Sequence, residues 1–316
     1  MTLQKQKQEK MHQNKKHTPV LLDQVLHYLD PKSGESYLDL TAGYAGHANA
    51  VLEKTSNFTS SVLVDRDKDA VKALKKSFAE KGVKIIENNF LDASLKLLGK
   101  GQCFDLILAD LGVSSPHLNE ASRGFAFNQT GPLDMRMDQS QELTASVIVN
   151  SYAEKDIEEI LKKYGEEPKS RLIAKLIVQN RPIKDTTELA KIVARAWPGH
   201  SKAHPATRSF QAIRIAVNDE LKQLAEGLKL WVELLCPGGR IVVISYHSLE
   251  DRLVKQAFKE LGGDRYDSVL KILNKQPVVS DKTEIVFNPR ARSAKLRAAA
   301  KINNRKGSSH ANSGTK

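Results

Sequence analysis

The stretch Asp39-Leu-Thr-Ala-Gly43-Tyr-Ala-Gly46-His47 lies where a short apolar run ends and a helical pattern begins. Glycine lets a backbone pass close to a ligand, and the N-terminus of a following helix presents unpaired N–H groups to it. Asp65 ends the next apolar run, 22 residues after Gly43, near the spacing of roughly 20 residues at which a carboxylate meets ribose hydroxyls. Loop and acid together favour a nucleoside cofactor over a plain strand-to-helix turn.

Strand and helix patterns alternate on either side of this loop. The apolar runs are residues 37–40, 61–64, 83–86 and 104–109. This alternation predicts an α/β fold, a parallel sheet covered by helices on both faces. More than 100 residues then pass before the next strong strand pattern, 240–245, although such connections usually take about 2–6 residues. We therefore predict a helical subdomain, residues 135–204, inserted in the sheet domain.

Two helices of this region open on predicted capping pairs. The pairs are Ser151 with Glu154 for a helix over 151–163, and Asp185 with Glu188 for a helix over 185–197. Residues 170–180 have a helical pattern between them. Beyond the insertion, a long helical stretch is expected from Pro205 through Leu235.

The composition is that of a globular protein, with 316 residues of which 40% are apolar, and this excludes a disordered or fibrous class. No apolar run reaches the roughly 18 to 20 residues that span a bilayer, and the N-terminus lacks the apolar core of a secretory signal. Cys103 and Cys236 lie in apolar, strand-like surroundings, which favours buried reduced thiols over a disulfide or metal ligands. We expect a cytoplasmic protein without membrane contact.

The formal charge of +12 is concentrated at the two ends of the chain. A basic N-terminal arm, residues 1–16, carries +4, and residues 289–316 carry +8. Such ends attract polyanions by counterion release, but they also occur as solubility tails, and both interpretations stay open for the N-terminal arm. In 289–302, basic residues among helix-forming Ala and Leu favour nucleic-acid contact. Residues 303–316 are expected to be a disordered basic tail.

The loop sequence also indicates which nucleoside cofactor to expect. Gly43-Tyr-Ala-Gly46-His lacks the G-x-G-x-x-G pattern of dinucleotide sites, which disfavours NAD. The spacing of Asp39, Thr41, Gly43 and Gly46 is instead similar to the first motif of class I methyltransferases, which bind S-adenosylmethionine. Carboxylates near the loop, Asp39 and Asp110, favour a sulfonium cation electrostatically. Phe90, at the end of the third strand, is placed either to stack on adenine or to join the core.

Seven further sequence motifs, taken together in chain order, are a highly specific pattern. They are His17-Thr-Pro-Val-Leu-Leu, Asp110-Leu-Gly-Val-Ser-Ser-Pro-His117, Arg123-Gly-Phe-Ala-Phe127, Gly131-Pro-Leu-Asp-Met-Arg-Met-Asp138, Lys202-Ala-His-Pro-Ala-Thr-Arg-Ser-Phe-Gln-Ala-Ile-Arg214, Ser245-Tyr-His-Ser-Leu-Glu-Asp-Arg252 and Asn288-Pro-Arg-Ala-Arg-Ser293. Together they closely resemble the MraW or RsmH family, bacterial methyltransferases that act on cytosine N4 in small-subunit ribosomal RNA. The resemblance covers about residues 17–300.

This resemblance implies a class I, Rossmann-like methyltransferase domain formed by residues 17–134 and 205–302, with 135–204 as a substrate-recognition insertion. It also implies a set of S-adenosylmethionine contacts. They are Ala45, Gly46, His47, Asp65, Phe90, Asp110 and His117. Two of them depart from the family pattern, because Ala45 stands where many relatives have Gly and His117 where Gln is common.

The reaction implied by the resemblance is methyl transfer to the exocyclic N4 of a cytosine in the decoding region of 16S ribosomal RNA, within an assembled or nearly assembled subunit. Asp110 is the candidate proton acceptor for that amine, with a purely structural role toward the cofactor as the alternative. Methylation of another RNA or DNA base and a non-catalytic role in ribosome assembly are the competing hypotheses. A homodimer is left open, and no metal is expected because no His or Cys pair has ligand spacing.

Contacts to the target base and to phosphates are less determined by the sequence. Phe125 and Phe127 are candidates for an aromatic face against an extruded base, with core packing as the alternative. Four arginines suit planar, bidentate recognition of phosphates or bases, although a surface salt bridge is the commoner use of any one of them. These arginines are Arg123, Arg136, Arg208 and Arg214.

Overall fold

The computed structural model describes residues 19–113, 118–199, 204–263 and 268–303. Its centre is a seven-stranded sheet in the order β3-β2-β1-β4-β5-β7-β6. The strands are β1 Tyr37–Asp39, β2 Val62–Asp65, β3 Lys84–Glu87, β4 Phe104–Asp110, β5 Leu235–Ser245, β6 Leu270–Ile272 and β7 Lys295–Lys301. Strands β1 to β5 pair in parallel, and β7 runs antiparallel to both of its neighbours. The α/β prediction is confirmed.

Helices cover both faces of this sheet. They are α1 Leu22–Leu29, α2 Gly46–Thr55, α3 Lys68–Phe78, α4 Phe90–Leu98, α5 Ala145–Ser151, α6 Glu154–Gly165, α7 Ser170–Gln179, α8 Thr186–Ala194, α9 Ala206–Asn218, α10 Glu220–Glu233, α11 Ser248–Leu261 and α12 Lys282–Phe287. Leu97, Trp231 and Phe258 anchor α4, α10 and α11 in one core. Helices α1, α2 and α3 pack in a second core around Leu52 and Leu74. Within the described ranges, no helix is long and apolar enough to cross a membrane.

A third core lies among helices α5 to α9, between β4 and β5 in the chain. It includes Ile148, Leu161 and Ile177, and it confirms that helices fill the long connection. This core reaches beyond residues 135–204, because Phe125 and helix α9 belong to it. The helical layer therefore packs as a unit with residues on both sides of the predicted insertion.

The predicted helix ends are partly confirmed. Asp185 caps α8 as expected, with Oδ1 accepting the N–H of Glu188 at 2.9 Å. The Ser151 cap is wrong, because Ser151 ends α5 and α6 begins after Ala153. The helical stretch predicted over 205–235 consists of two helices, separated at Asp219, whose φ of +50° places it in the left-handed region.

The C-terminal basic segment differs most from expectation. Residues 295–301, in which helix-forming Ala and Leu stand among the basic residues, form strand β7 between β5 and β6. Ala298 and Ala299 are fully buried, and the guanidinium of Arg297 donates to Asp251 Oδ1 at 2.6 Å. Helical propensity is a weak prior, and partners remote in sequence overrode it here. Part of the segment's positive charge is thus used inside the protein.

The two cysteines also differ from the prediction. Cys103, just before β4, and Cys236, in β5, form a disulfide with a Cα–Cα distance of 5.1 Å. Cys103 is exposed and Cys236 is half-buried, so neither is the buried thiol that the apolar neighbours indicated. The strand pairing of β4 with β5 brings together two residues that are 133 positions apart.

Candidate active site

A cavity of about 600 Å³ opens at the carboxyl ends of the central strands. Thr41, Asp65 and Asp110, which follow or end β1, β2 and β4, all line it. Open α/β sheets bind ligands at this edge, where the helices depart to opposite faces. Its size lies within the range of about 300–1,000 Å³ usual for small-molecule sites.

The Gly43 to Gly46 loop forms one wall of the cavity. Gly46 begins α2 next to Pro19, and a Cβ added at position 46 would lie 2.8 Å from Pro19 Cγ. Ala45 has a left-handed φ of +67°, a conformation that costs an L-residue about 1–2 kcal/mol. This strain gives a physical reason for the glycine of many relatives. Ala45 is itself buried beneath the loop, whereas Gly46 and His47 line the cavity.

Asp65 lines the cavity and also holds the loop. Its Oδ2 accepts the N–H of Gly43 at 2.8 Å, and its Oδ1 accepts the N–H of Asp67 at 2.8 Å. Burial raises the pKa of Asp65, while these two N–H groups oppose that rise. The carboxylate is therefore fixed in place before any ribose hydroxyl reaches it.

We expect Asp65→Ala to weaken S-adenosylmethionine binding by about 1–3 kcal/mol, since a charge-assisted hydrogen bond and the support of the loop are lost together. Asp65→Asn should cost less, because the amide oxygen can still accept one backbone N–H. Isothermal titration calorimetry on both variants measures the difference. A dissociation constant unchanged in Asp65→Ala would remove this residue from the site.

Asp110 lies at the centre of a polar group at the end of β4. The hydroxyl of Tyr246 donates to Asp110 Oδ1 at 2.8 Å. His47 Nδ1 lies 3.7 Å from Asp110 Oδ2, and its Nε2 lies 2.9 Å from the carbonyl oxygen of Val20. Since a carbonyl can only accept, Nε2 carries the hydrogen and Nδ1 faces the carboxylate. Burial raises the pKa of Asp110, opposed by His47 and Tyr246.

Asp39 supports the same edge from below. Its side chain is fully buried, accepting the Tyr37 hydroxyl at 2.7 Å and the Thr41 N–H at 3.1 Å. Desolvation raises the pKa of Asp39 to about 6. Below that pH the carboxyl is neutral in the folded protein, and above it a buried negative charge lies near the cofactor loop.

We expect Asp39→Asn to have a higher free energy of unfolding than wild type at pH 7.5, by a larger margin than at pH 4.5. A folded-state pKa of about 6, against the usual 3.8, makes the contribution of Asp39 most favourable below about pH 4, and this contribution is lost as the pH rises through 6. Asn carries no such penalty. The gain in free energy of unfolding over wild type should therefore grow by about 2 kcal/mol between the two pH values.

Urea denaturation at both pH values measures this change. Glu53→Gln on the exposed side of α2 makes the same change of charge outside the cavity and serves as control. For each variant, the difference in free energy of unfolding from wild type is compared at the two pH values. If this difference changes with pH equally in Asp39→Asn and Glu53→Gln, the buried charge at Asp39 is not the cause.

Phe90 belongs to the core and also reaches the cavity, and its stacking on adenine stays a prediction. Its ring packs edge-on against Trp231, with centroids 5.4 Å apart and an interplanar angle of 77°, and it belongs to the core. It also lines the cavity. Asn89 fixes its position by capping α4, with Oδ1 accepting the N–H of Asp92. His117 lies outside the described residues, so its predicted cofactor contact stays a prediction.

Most of the predicted phosphate-binding arginines are used within the protein. Arg123 is buried and donates to the carbonyl oxygens of residues 136 and 137. Arg136 forms a bidentate pair with Asp134, and Arg214 forms one with Glu220. Arg208 remains exposed, donating to one backbone carbonyl at 3.3 Å. The motifs containing the first three thus hold the helical layer together.

The predicted aromatic faces have similar structural uses. Phe125 is buried in the core of the helical layer. Phe127 stacks on the ring of His204, with centroids 4.4 Å apart, and meets Phe210 edge-on. Of the two, only Phe127 is partly exposed.

Tyr246, Glu250 and Arg290 belong to the site although the sequence reasoning assigned them no role. Tyr246 contacts Asp110, while Glu250 and Arg290 line the cavity. Tyr246 could have been found, because it directly follows β5 at the same carboxyl edge as Asp110. Arg290 could not, since it reaches the cavity from a segment far along the chain. Glu250 accepts the N–H groups of Tyr246 and His247 at the start of α11.

Glu220, His247 and Glu250 bring potential ligand atoms within 4.8 Å of one another. Their oxygen atoms already have partners, because Glu220 pairs with Arg214 and Glu250 accepts backbone N–H groups. We assign no metal to this cluster.

Comparison with known proteins assigns the chain to a family. The family model described as the MraW methylase family matches residues 14–302. The chain belongs to the MraW methylase family. Membership confirms the predicted resemblance, the methyltransferase activity and S-adenosylmethionine as the methyl donor.

Several MraW relatives are close over nearly their full lengths. Ribosomal RNA small subunit methyltransferase H of Trichormus variabilis is 47% identical over 90% of this chain and 92% of its own. The protein of the same name from Synechocystis is 44% identical over 90% and 93%. Among solved structures, a putative methyltransferase of Streptococcus mutans in complex with SAH has a TM-score of 0.42 and 10% identity, covering 90% of this chain and 100% of its own.

The residues of this MraW cavity fit S-adenosylmethionine chemically. The buried carboxylate of Asp39 and the half-buried ones of Asp65 and Asp110 lie around the loop, and their negative charge suits a cationic sulfonium and ribose hydroxyls. Phe90 offers an aromatic ring on the cavity wall. Gly46 leaves its backbone open to the cavity at the N-terminus of α2. Asp65, Phe90 and the loop would hold the nucleoside, and Asp110 would lie toward the reacting end.

Proposed function

We propose that this chain transfers a methyl group from S-adenosylmethionine to the exocyclic N4 of a cytosine in the decoding region of small-subunit ribosomal RNA. The observation that carries the proposal is Asp110, a half-buried carboxylate that lines the cavity and accepts the Tyr246 hydroxyl in an MraW methylase. The relatives named ribosomal RNA small subunit methyltransferase H support the choice of substrate.

The chemistry needs a group that accepts a proton from the cytosine amine. When bound, S-adenosylmethionine supplies an electrophilic methyl group on its sulfonium sulfur. Tyr246 occupies Oδ1 of Asp110, which leaves Oδ2 to accept the proton. Because burial raises the pKa of Asp110, this carboxylate is a stronger base near neutral pH than a solvated one.

The surrounding residues position this base. The backbone N–H of Asp110 donates to Thr41 Oγ1 at 2.6 Å, which ties the end of β4 to the cofactor loop. A Cβ added at Gly112 would lie 3.2 Å from the ring of Tyr246. The chain after Asp110 therefore passes close over Tyr246, and the two elements share one fixed geometry.

The wider setting completes the proposal. We place the enzyme in the cytoplasm, acting on ribosomal RNA within an assembled or nearly assembled small subunit, with residues 135–204 contributing to substrate recognition. The exposed guanidinium of Arg208 beside this helical layer supports that role. The basic ends supply further charge for RNA binding.

The test uses purified wild-type chain, S-adenosylmethionine labelled in its methyl group, and small ribosomal subunits taken at several stages of assembly. Ribosomal RNA is then digested to nucleosides. We expect label in N4-methylcytidine. Label in a different nucleoside would favour another base as the target, and a lack of label with every assembly intermediate would overturn the enzymatic proposal.

A further inference from the structure

A short segment near the C-terminus forms part of the cavity wall. Arg290, in the turn Pro289–Ser293 that follows α12, lines the cavity and donates to the carbonyl oxygen of Val113, another lining residue. Glu284 of α12 accepts the N–H of Leu21 at 2.7 Å. Ala291 is buried in the core. The segment is thus anchored at residue 284 and again at residues 290 and 291.

This anchored segment carries two unusually exposed apolar side chains. Phe287 is 84% exposed and Val286 is 74% exposed, the highest values among the large apolar residues that the structure describes. Exposing them forgoes a stabilisation of roughly 25 cal/mol for each Å² of apolar surface. Such patches commonly mark interaction sites.

The charge around this patch identifies the kind of partner. Residues 285–303 contain five Lys or Arg and no Asp or Glu, and two of the five, Lys295 and Arg297, pair with Asp251. Arg292 is exposed and makes no ion pair or hydrogen bond with any residue in the described ranges. An aromatic ring beside free positive charge suits single-stranded nucleic acid, since bases stack on the ring and phosphates pair with the cation.

We propose that Phe287 stacks on a nucleotide that flanks the methylated cytosine, while Arg292 binds a neighbouring phosphate. Phe287 precedes the cavity-lining Arg290 by three residues, which limits the distance between their Cα atoms to about 11 Å. The ring therefore meets RNA next to the base that enters the cavity. This inference rests on the proposed function.

The test compares full-length variants at position 287. Phe287→Ala should raise the dissociation constant for a decoding-region RNA, and the KM for small subunits, by roughly 5- to 100-fold, the range for losing one stacked base. Phe287→Tyr should restore binding to within about 2-fold. Phe287→Leu keeps an apolar side chain without an aromatic face, so it should bind less tightly than Phe287→Tyr.

Arg292→Ala tests the proposed phosphate contact independently. It should lower the slope of log affinity against log salt concentration by about 1, because one phosphate contact is lost. Phe287→Ala should leave that slope unchanged. The matched control is Leu95→Ala, which removes a side chain 52% exposed on α4, across the sheet from α12.

Three results would overturn the inference. In the first, Phe287→Ala binds RNA as Leu95→Ala does while wild type methylates subunits. This result would exclude the stacking contact and leave the proposed function intact. Phe287→Leu could bind RNA as well as wild type does, which excludes stacking. Sedimentation could show that Phe287→Ala dissociates a dimer without changing RNA affinity, which assigns the patch to a second copy of the chain. A wild type that methylates no subunit overturns both proposals.

Discussion

Replacing Asp110 by Asn should lower the rate of methyl transfer by about 10²- to 10⁴-fold, the usual loss when a positioned proton acceptor is removed. The amide oxygen of Asn can still accept the Tyr246 hydroxyl that now bonds to Asp110 Oδ1. Geometry is therefore retained while the acceptor is lost. Single-turnover methylation of small subunits, with calorimetric binding of S-adenosylmethionine, separates the two effects.

The pH dependence gives this prediction a second readout. Since burial raises the pKa of Asp110, wild-type activity should fall as the pH falls through that raised value, and Asp110→Asn should lack this limb. The Tyr246 hydrogen bond lowers the pKa of Asp110, so Tyr246→Phe should move the limb to higher pH. If Asp110→Asn loses only cofactor affinity and keeps its rate at saturation, Asp110 is a cofactor ligand and not the base.

Breaking the disulfide should lower the free energy of unfolding by about 2–4 kcal/mol. Cys103 and Cys236 are separated by 133 residues, and a cross-link that closes so long a loop strongly restricts the unfolded chain. Urea denaturation of oxidised and reduced wild type measures the loss. Thiols are normally kept reduced in the cytoplasm, so under the location proposed above the comparison also gives the stability of the form expected in the cell.

The double variant Cys103→Ser with Cys236→Ser is the control, and its stability should not respond to reductant. Methylation should be little affected, because the bond lies at the starts of β4 and β5 and the cavity lies at their carboxyl ends. Two free thiols titrated in denatured, unreduced wild type would contradict the pairing.

Features that depend on residues close together in the sequence could be predicted, and features that depend on distant residues could not. The loop at Gly43, the acid at Asp65 and the cap at Asp185 were predictable, because each depends on backbone geometry within a few residues or on the order of strands. The Ser151 cap was wrong, and the helix-forming Ala and Leu of residues 295–301 lie in a strand. In both places the local pattern suited two structures, and packing against distant elements selected one.

The sequence by itself determined the α/β class, the cofactor loop and the family, because periodicity, glycine placement and ordered motifs are written in adjacent residues. Only the tertiary structure decided that Tyr246 bonds to Asp110, that Arg290 reaches the cavity, and that Arg123, Arg136 and Arg214 serve the protein's own interior. The physical reason is that a side chain's role depends on which partners folding brings within hydrogen-bond distance. Tyr246 and Asp110, for example, are 136 residues apart in the chain.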